Sequence, residues 1–187
     1  MKNIAVIVDN RPSPQLQKII EAHMKHLPGW HLHHLSNVPI SSQVDYNEIL
    51  CSIEFWSRYV DYDRVLIFQH DSMLLRDGIE EFLEWDYVGA PWFEGAAWAR
   101  QDRAGGNGGL SIRNPRAHIE VLEREKYHPS KNNEDVFFVH RLDNVAPFEV
   151  CNTFSCETVY QLGTLGYHAI DKYLTEDEQD RIINQYG

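Results

Sequence analysis

The chain has 187 residues, with 17 Lys and Arg against 28 Asp and Glu, for a formal net charge of −11. That length suits one domain, residues 1–187, which can bury roughly 70% of its unfolded surface without staples. The acidic balance argues against a nucleic-acid partner or an anionic membrane surface, so an anionic ligand needs local cations or a metal.

Three cysteines, Cys51, Cys151 and Cys156, form no C-x-x-C pair. That spacing argues against a disulfide framework or a structural zinc site and fits small buried hydrophobes in a reducing, cytoplasmic setting. Ile4 to Val8 is cut short by Asp9, too brief for a signal segment, and no run reaches membrane-span length.

Ile4 to Val8 reads as a buried first strand. Gln15 to Leu27 carries Leu16, Ile19, Ile20, Met24 and Leu27 at helical spacing and ends at Pro28-Gly29. Trp30 to Leu35 alternates as a second strand, with His31 and His33 on one face but no acid or thiol close in sequence to complete a metal site. Asp45 is read as the cap of a helix running to about Tyr59, and Arg64 to Gln69 as the third strand. Asp77-Gly78 opens a short helix, Ile79 to Trp85, followed by Tyr87-Val88-Gly89 and a turn at Ala90-Pro91. Residues 93–108 lack any period, a loop of the length that is usually functional or disordered. Strand character resumes at Gly109 to Ile112; one helix follows Pro115, and another begins at Asn133-Glu134-Asp135, ahead of Val136-Phe137-Phe138. This alternation predicts an α/β fold with a mostly parallel central sheet flanked by helices.

Three constellations bear chemistry. Gln69-His70-Asp71-Ser72 ends an apolar strand, and in open α/β sheets the carboxyl ends of strands present ligand-binding groups. Read alone, Asp71 also suits a simple turn cap. Gly105-Gly106-Asn107-Gly108-Gly109 gives a backbone with no Cβ to hold a ligand away, though it is neither a Walker loop nor a dinucleotide fingerprint. Glu134-Asp135 places two acids at a helix start, where they suit the helix dipole; facing the glycine segment, one could take a proton from a hydroxyl.

The order Asp71-Ser72, Asp86-Tyr87-Val88-Gly89-Ala90-Pro91-Trp92, Gly106-Asn107-Gly108-Gly109-Leu110-Ser111-Ile112-Arg113 and Glu134-Asp135-Val136-Phe137-Phe138 resembles a little-characterised family of short GT-A-like glycosyltransferase domains. Phe154-Ser155-Cys156-Glu157-Thr158 and Gly163-x-x-Gly166-Tyr167-His168 resemble its closing segments, so the likeness runs from the first strand to about residue 173.

The resemblance implies a single GT-A-like (Rossmann-like) domain that transfers a sugar from a nucleotide-sugar donor to a hydroxyl on a glycan, protein or small molecule, with inversion. In such enzymes an Asp-x-Asp motif at a strand end holds a divalent cation on the donor diphosphate. Gln69-x-Asp71 stands in that place, with the first acid missing. The implied Mn²⁺ or Mg²⁺ ligands are Asp71 and His168, completed by phosphate oxygens and water. The implied donor site takes in Val8, Asp9 and Arg11 at the first strand end, Gln69, His70 and Asp71, and Gly106 to Gly109. Asp135 is the implied general base and Glu134 orients the acceptor, with exchangeable roles. Trp92 and Trp98 could offer flat faces to a sugar, although each also reads as a partly buried core aromatic. A nucleotide-sugar hydrolase and a non-catalytic sugar- or nucleotide-binding module are the alternatives.

Overall fold

The computed structural model describes residues 1–11, 13–93, 95–99 and 105–187. Five strands form the central sheet: β1 (Asn3–Val8), β2 (His31–Leu35), β3 (Arg64–Phe68), β5 (Tyr87–Gly89) and β6 (Leu110–Arg113). A smaller sheet joins β4 (Ser72–Leu74), β7 (Ser155–Cys156) and β8 (Gly166–His168).

Every residue of β1 is buried, as expected of a strand covered on both faces. Alternation divides the apolar side chains between two layers. Ala5, Ile7, Leu66, Phe68 and Ile112 pack with Leu16 and Ile20 of α1 (Pro14–Lys25). Ile4, Val6, Val65 and Ile67 pack with Leu50, Phe55 and Trp56 of α2 (Gln43–Leu50) and α3 (Ile53–Ser57). A third apolar cluster gathers Trp92, Val121 of α4 (Pro115–Arg124), Tyr127 and Phe137 of α5 (Glu134–Val139). The remaining helices are α6 (Phe148–Phe154) and α7 (Glu176–Ile183).

Three sequence expectations change. The central sheet runs in the order β2-β1-β3-β6-β5 and is mixed: β1 is parallel to β2 and β3, whereas β6 is antiparallel to both β3 and β5. Apolar runs report burial on both faces and carry no information on strand direction, so the mostly parallel reading is corrected here. The helix expected from Asp45 to Tyr59 is two. Ser42 caps α2 by accepting from the Asp45 N–H at 3.2 Å, and Ser52 caps α3 by accepting from the Phe55 N–H at 3.2 Å. Asp45 lies inside the first turn of α2, its carboxylate accepting from the Ser41 N–H at 2.8 Å and hydroxyl at 2.6 Å. Each serine offers the backbone a local acceptor that starts a new helix. Residues 79–85 contain only a 3₁₀ turn, Ile79–Phe82. The long loop of residues 93–108 lies partly outside the described residues.

Candidate functional site

Parallel pairing of β1 with β3, Val6 opposite Ile67, brings both carboxyl ends to one edge of the sheet. The chain beyond β1 delivers Asp9-Asn10-Arg11 there, and the chain beyond β3 delivers Gln69-His70-Asp71. Because β6 runs antiparallel to β3, Phe68 opposite Leu110, the segment entering β6 arrives at the same edge. The Gln69 N–H donates to Gly109 O at 2.9 Å and fixes it. These segments and the start of α5 enclose a cleft of about 550 Å³. Val8, Asp9, Arg11, Gln69 and His70 line one part of it; Asn107, Gly108, Gly109, Glu134, Asp135 and His168 are among the residues that line the rest.

The two glycines at the cleft are required by what lies against them. A Cβ on Gly109 would sit 2.1 Å from His168 Nε2, and one on Gly108 would sit 2.3 Å from Glu134 Oε1. Their missing side chains make room for the functional groups. Gly106 does not line the cleft; its φ of 136° and a Cβ position 2.3 Å from Val139 make it a packing glycine.

Three charge groups shape the cleft. At the β1 end, Asp9 is buried and accepts from Arg11 through Nε at 2.9 Å, Nη2 at 2.5 Å and the backbone N–H at 2.9 Å. Burial would raise the Asp9 carboxyl, but these bonds hold it below its ordinary value. Arg11 Nη2 also lies 2.9 Å from His70 Nδ1. His34 Nε2 lies 2.8 Å from Asp9 O, while the Asn10 amide donates to Val38 O and Ile40 O, so the loop after β1 is tied down.

At the β3 end, Asp71 is enclosed by cations: Lys172 Nζ donates to Oδ2 at 2.7 Å, and His168 Nε2 lies 3.3 Å from Oδ1. His168 Nδ1 faces Glu157 Oε1 at 3.3 Å, and its Nε2 also lies 3.2 Å from Gln69 Oε1. Burial alone would lower the imidazole, yet Asp71 and Glu157 raise it to about 9. Burial alone would raise Asp71, yet His168 and Lys172 hold it well below the usual carboxylate range.

The third group sits at the α5 end. Arg113 is wholly buried and grips Glu134 with both arms, Nη1 to Oε2 at 2.5 Å and Nη2 to Oε1 at 2.8 Å. Its Nε donates to Ser111 Oγ at 2.9 Å and its cation stands 4.7 Å from the Tyr87 ring centre. Asp135 has no such partner. Burial first and the Glu134 charge second push its carboxyl up to about 7, although Oδ1 accepts from the Val136 N–H at 2.7 Å.

These residues do not fit the implied divalent cation. Position 69 is an amide, both Asp71 oxygens already face cations, and both His168 nitrogens face carboxylates. A metal needs a lone pair where each of these has a proton or an ion-pair partner. Among the described residues no group of three or more His, Cys, Asp or Glu side chains is arranged to hold one.

Trp92 is buried in the third apolar cluster, its ring 6.5 Å from that of His140, and is not among the residues lining the cleft. Trp98 is exposed, stacks edge-on with Phe93 and also lies off the cleft. His33 Nδ1 lies 2.9 Å from the Tyr59 hydroxyl and His31 meets the Tyr62 ring edge-on. Sequence reasoning missed Arg113, Lys172, Glu157 and Tyr46, whose buried hydroxyl belongs to a cleft-lining side chain. The signal for Arg113 was a cation ending an apolar strand.

A mixed five-stranded sheet flanked by helices, with a cleft at the ends of β1 and β3, makes this an α/β fold. A solved structure described as a glycosyltransferase involved in the glycosylation of the major capsid of PBCV-1 has a TM-score of 0.55 and 12% identity, covering 97% of this chain and 98% of that one. Residues 29–168 match the family described as protein of unknown function (DUF5672), and the chain belongs to that family. The crystal structure of A197 from STIV matches with a TM-score of 0.45 and 18% identity, over 79% of this chain and 83% of that one. No curated protein matches. Among the described residues no helix is long and apolar enough to cross a membrane.

Proposed function

We propose that this protein transfers a sugar from a nucleotide-sugar donor to a hydroxyl acceptor, with inversion at the anomeric carbon. The observation that carries this reading is Asp135, a carboxyl raised to about 7 on the wall of a cleft at the ends of β1 and β3. A base poised near neutrality suits removal of a hydroxyl proton in the transition state. The fold shared with the glycosyltransferase of the PBCV-1 capsid pathway supports it.

In this mechanism the donor lies along Val8, Asp9, Arg11, His70 and Asn107 to Gly109. Asp135 accepts the proton of the acceptor hydroxyl as its oxygen attacks the anomeric carbon. The bond from that carbon to the diphosphate oxygen breaks, and the nucleoside diphosphate leaves with the electron pair. Glu134, with both oxygens on Arg113, positions Asp135 and raises its basicity. The acceptor is a glycan, protein or small molecule bearing a hydroxyl.

Incubation with UDP-, GDP-, CMP- and dTDP-sugars and a panel of hydroxyl acceptors, followed by assay of released nucleotide, tests the reading. One donor is expected to turn over, and Asp135→Asn to lower kcat by roughly 10²–10⁴ with little change in donor affinity. Equal donor loss without acceptor would identify a hydrolase instead. Donor binding with no turnover by any pair, unchanged by Asp135→Asn, would identify a binding module.

A further inference from the structure

Lys172 has no part in the chemistry above, yet the backbone is bent to place it. It ends a 3₁₀ turn, Ile170–Lys172, directly after β8. Between His168 and that turn stands Ala169 with φ 50°, the only non-glycine residue in the left-handed region among the described residues. L-residues disfavour that conformation, and it recurs where surrounding structure enforces a functional arrangement. The Ala169 N–H donates to Asp71 O at 2.9 Å, which locks the bend. As a result His168 and Lys172, four positions apart, reach the two oxygens of one carboxylate.

Lys172 is spent only in part. Its side chain is 55% exposed and lines the cleft, and among the described residues Asp71 is the one side chain to which it donates a hydrogen bond. An ammonium has three donors. Arg11 is arranged in the same way from the β1 end: it is gripped by buried Asp9, its side chain is 63% exposed, and it lines the same cleft. Two cations therefore stand on acids, Asp9 buried and Asp71 partly buried, and face one space, in a protein whose overall charge repels anions.

A divalent cation on Asp71 would have to displace the Lys172 ammonium and find its next acid where Gln69 stands. We propose that Lys172, together with Arg11, takes the diphosphate of the donor directly, so that the cleft binds nucleoside diphosphates without a divalent metal. Cations each held by a carboxylate are oriented before the ligand arrives and can meet charge that develops on the leaving diphosphate. This proposal rests on the transferase reading of the cleft.

Titration calorimetry with UDP, GDP, CDP and dTDP, first in EDTA and then with Mn²⁺, tests it on wild type, Lys172→Met and Lys172→Arg. One nucleotide is expected to bind in EDTA, with a Kd that Mn²⁺ changes by no more than about threefold. Lys172→Met is expected to weaken it by about tenfold or more while Lys172→Arg retains most of the affinity, both with wild-type melting temperatures. Binding that appears only with Mn²⁺, or binding in EDTA that Lys172→Met leaves intact, overturns the proposal and leaves the transferase reading standing. No binding of any of the four, with or without Mn²⁺, overturns both.

Discussion

Glu134 and Asp135 are adjacent acids in the first turn of one short helix, and they live in opposite electrostatic worlds. Glu134 meets a wholly buried guanidinium with both oxygens; Asp135 meets cleft space, its own backbone and the charge of its neighbour. The helix start favours both equally. What separates them is Arg113, twenty-one positions earlier in sequence, so a carboxylate's role is decided by the far partner rather than by its local motif. One acid has become scaffold, and its fixed charge keeps the other from ionising easily.

Cutting the scaffold side of this contrast is expected to have the largest effect. Arg113→Met leaves Glu134 buried without a partner and should cost about 3–5 kcal/mol, lowering Tm by roughly 6–20 °C in calorimetry. The double variant Arg113→Met with Glu134→Leu should recover much of that loss, because no unpaired charge remains. A smaller loss is expected from Gly109→Ala. Its Cβ would press on His168, so urea unfolding should show about 1–3 kcal/mol of destabilisation.

The catalytic side should respond in the other direction. The folded protein keeps the Asp135 proton up to about pH 7, whereas the unfolded chain releases it near 3.8. Stability therefore falls as pH rises between those values, and Asp135→Asn should remove that slope. At about pH 8 the variant should be more stable by about 1–2 kcal/mol, a value discounted for water in the cleft. Wild-type turnover should rise with pH through about 7, and urea titrations at low and high pH compared with a pH–rate profile check both halves.

The strands were legible because burial on both faces leaves a continuous apolar run, as in Val65-Leu66-Ile67-Phe68. Strand direction was not, since nothing in Leu110-Ser111-Ile112 distinguishes an antiparallel neighbour from a parallel one. The strand ends and part of the glycine segment, Gly108 and Gly109, meet at one cleft, but these glycines face protein side chains as much as open space. Ser52 hid a helix boundary because serine reads as an ordinary helix residue until its hydroxyl is seen to cap. Arg113 escaped notice because a cation after an apolar strand usually reaches solvent, and Lys172 because its position depends on a single left-handed residue.

The small sheet sets the order in which this molecule is completed. Ser72 pairs with His168 across ninety-six positions of chain, a long loop to close, and such distant contacts form slowly. β1, β2 and β3 can associate within the first 68 residues, but Asp71 gains His168 and Lys172 only when the C-terminal third has docked. Nucleotide affinity should thus emerge in the last phase of refolding, and an occupied cleft should protect the C-terminal segments from proteolysis, since a ligand that binds only the finished state holds the late-arriving pieces in place.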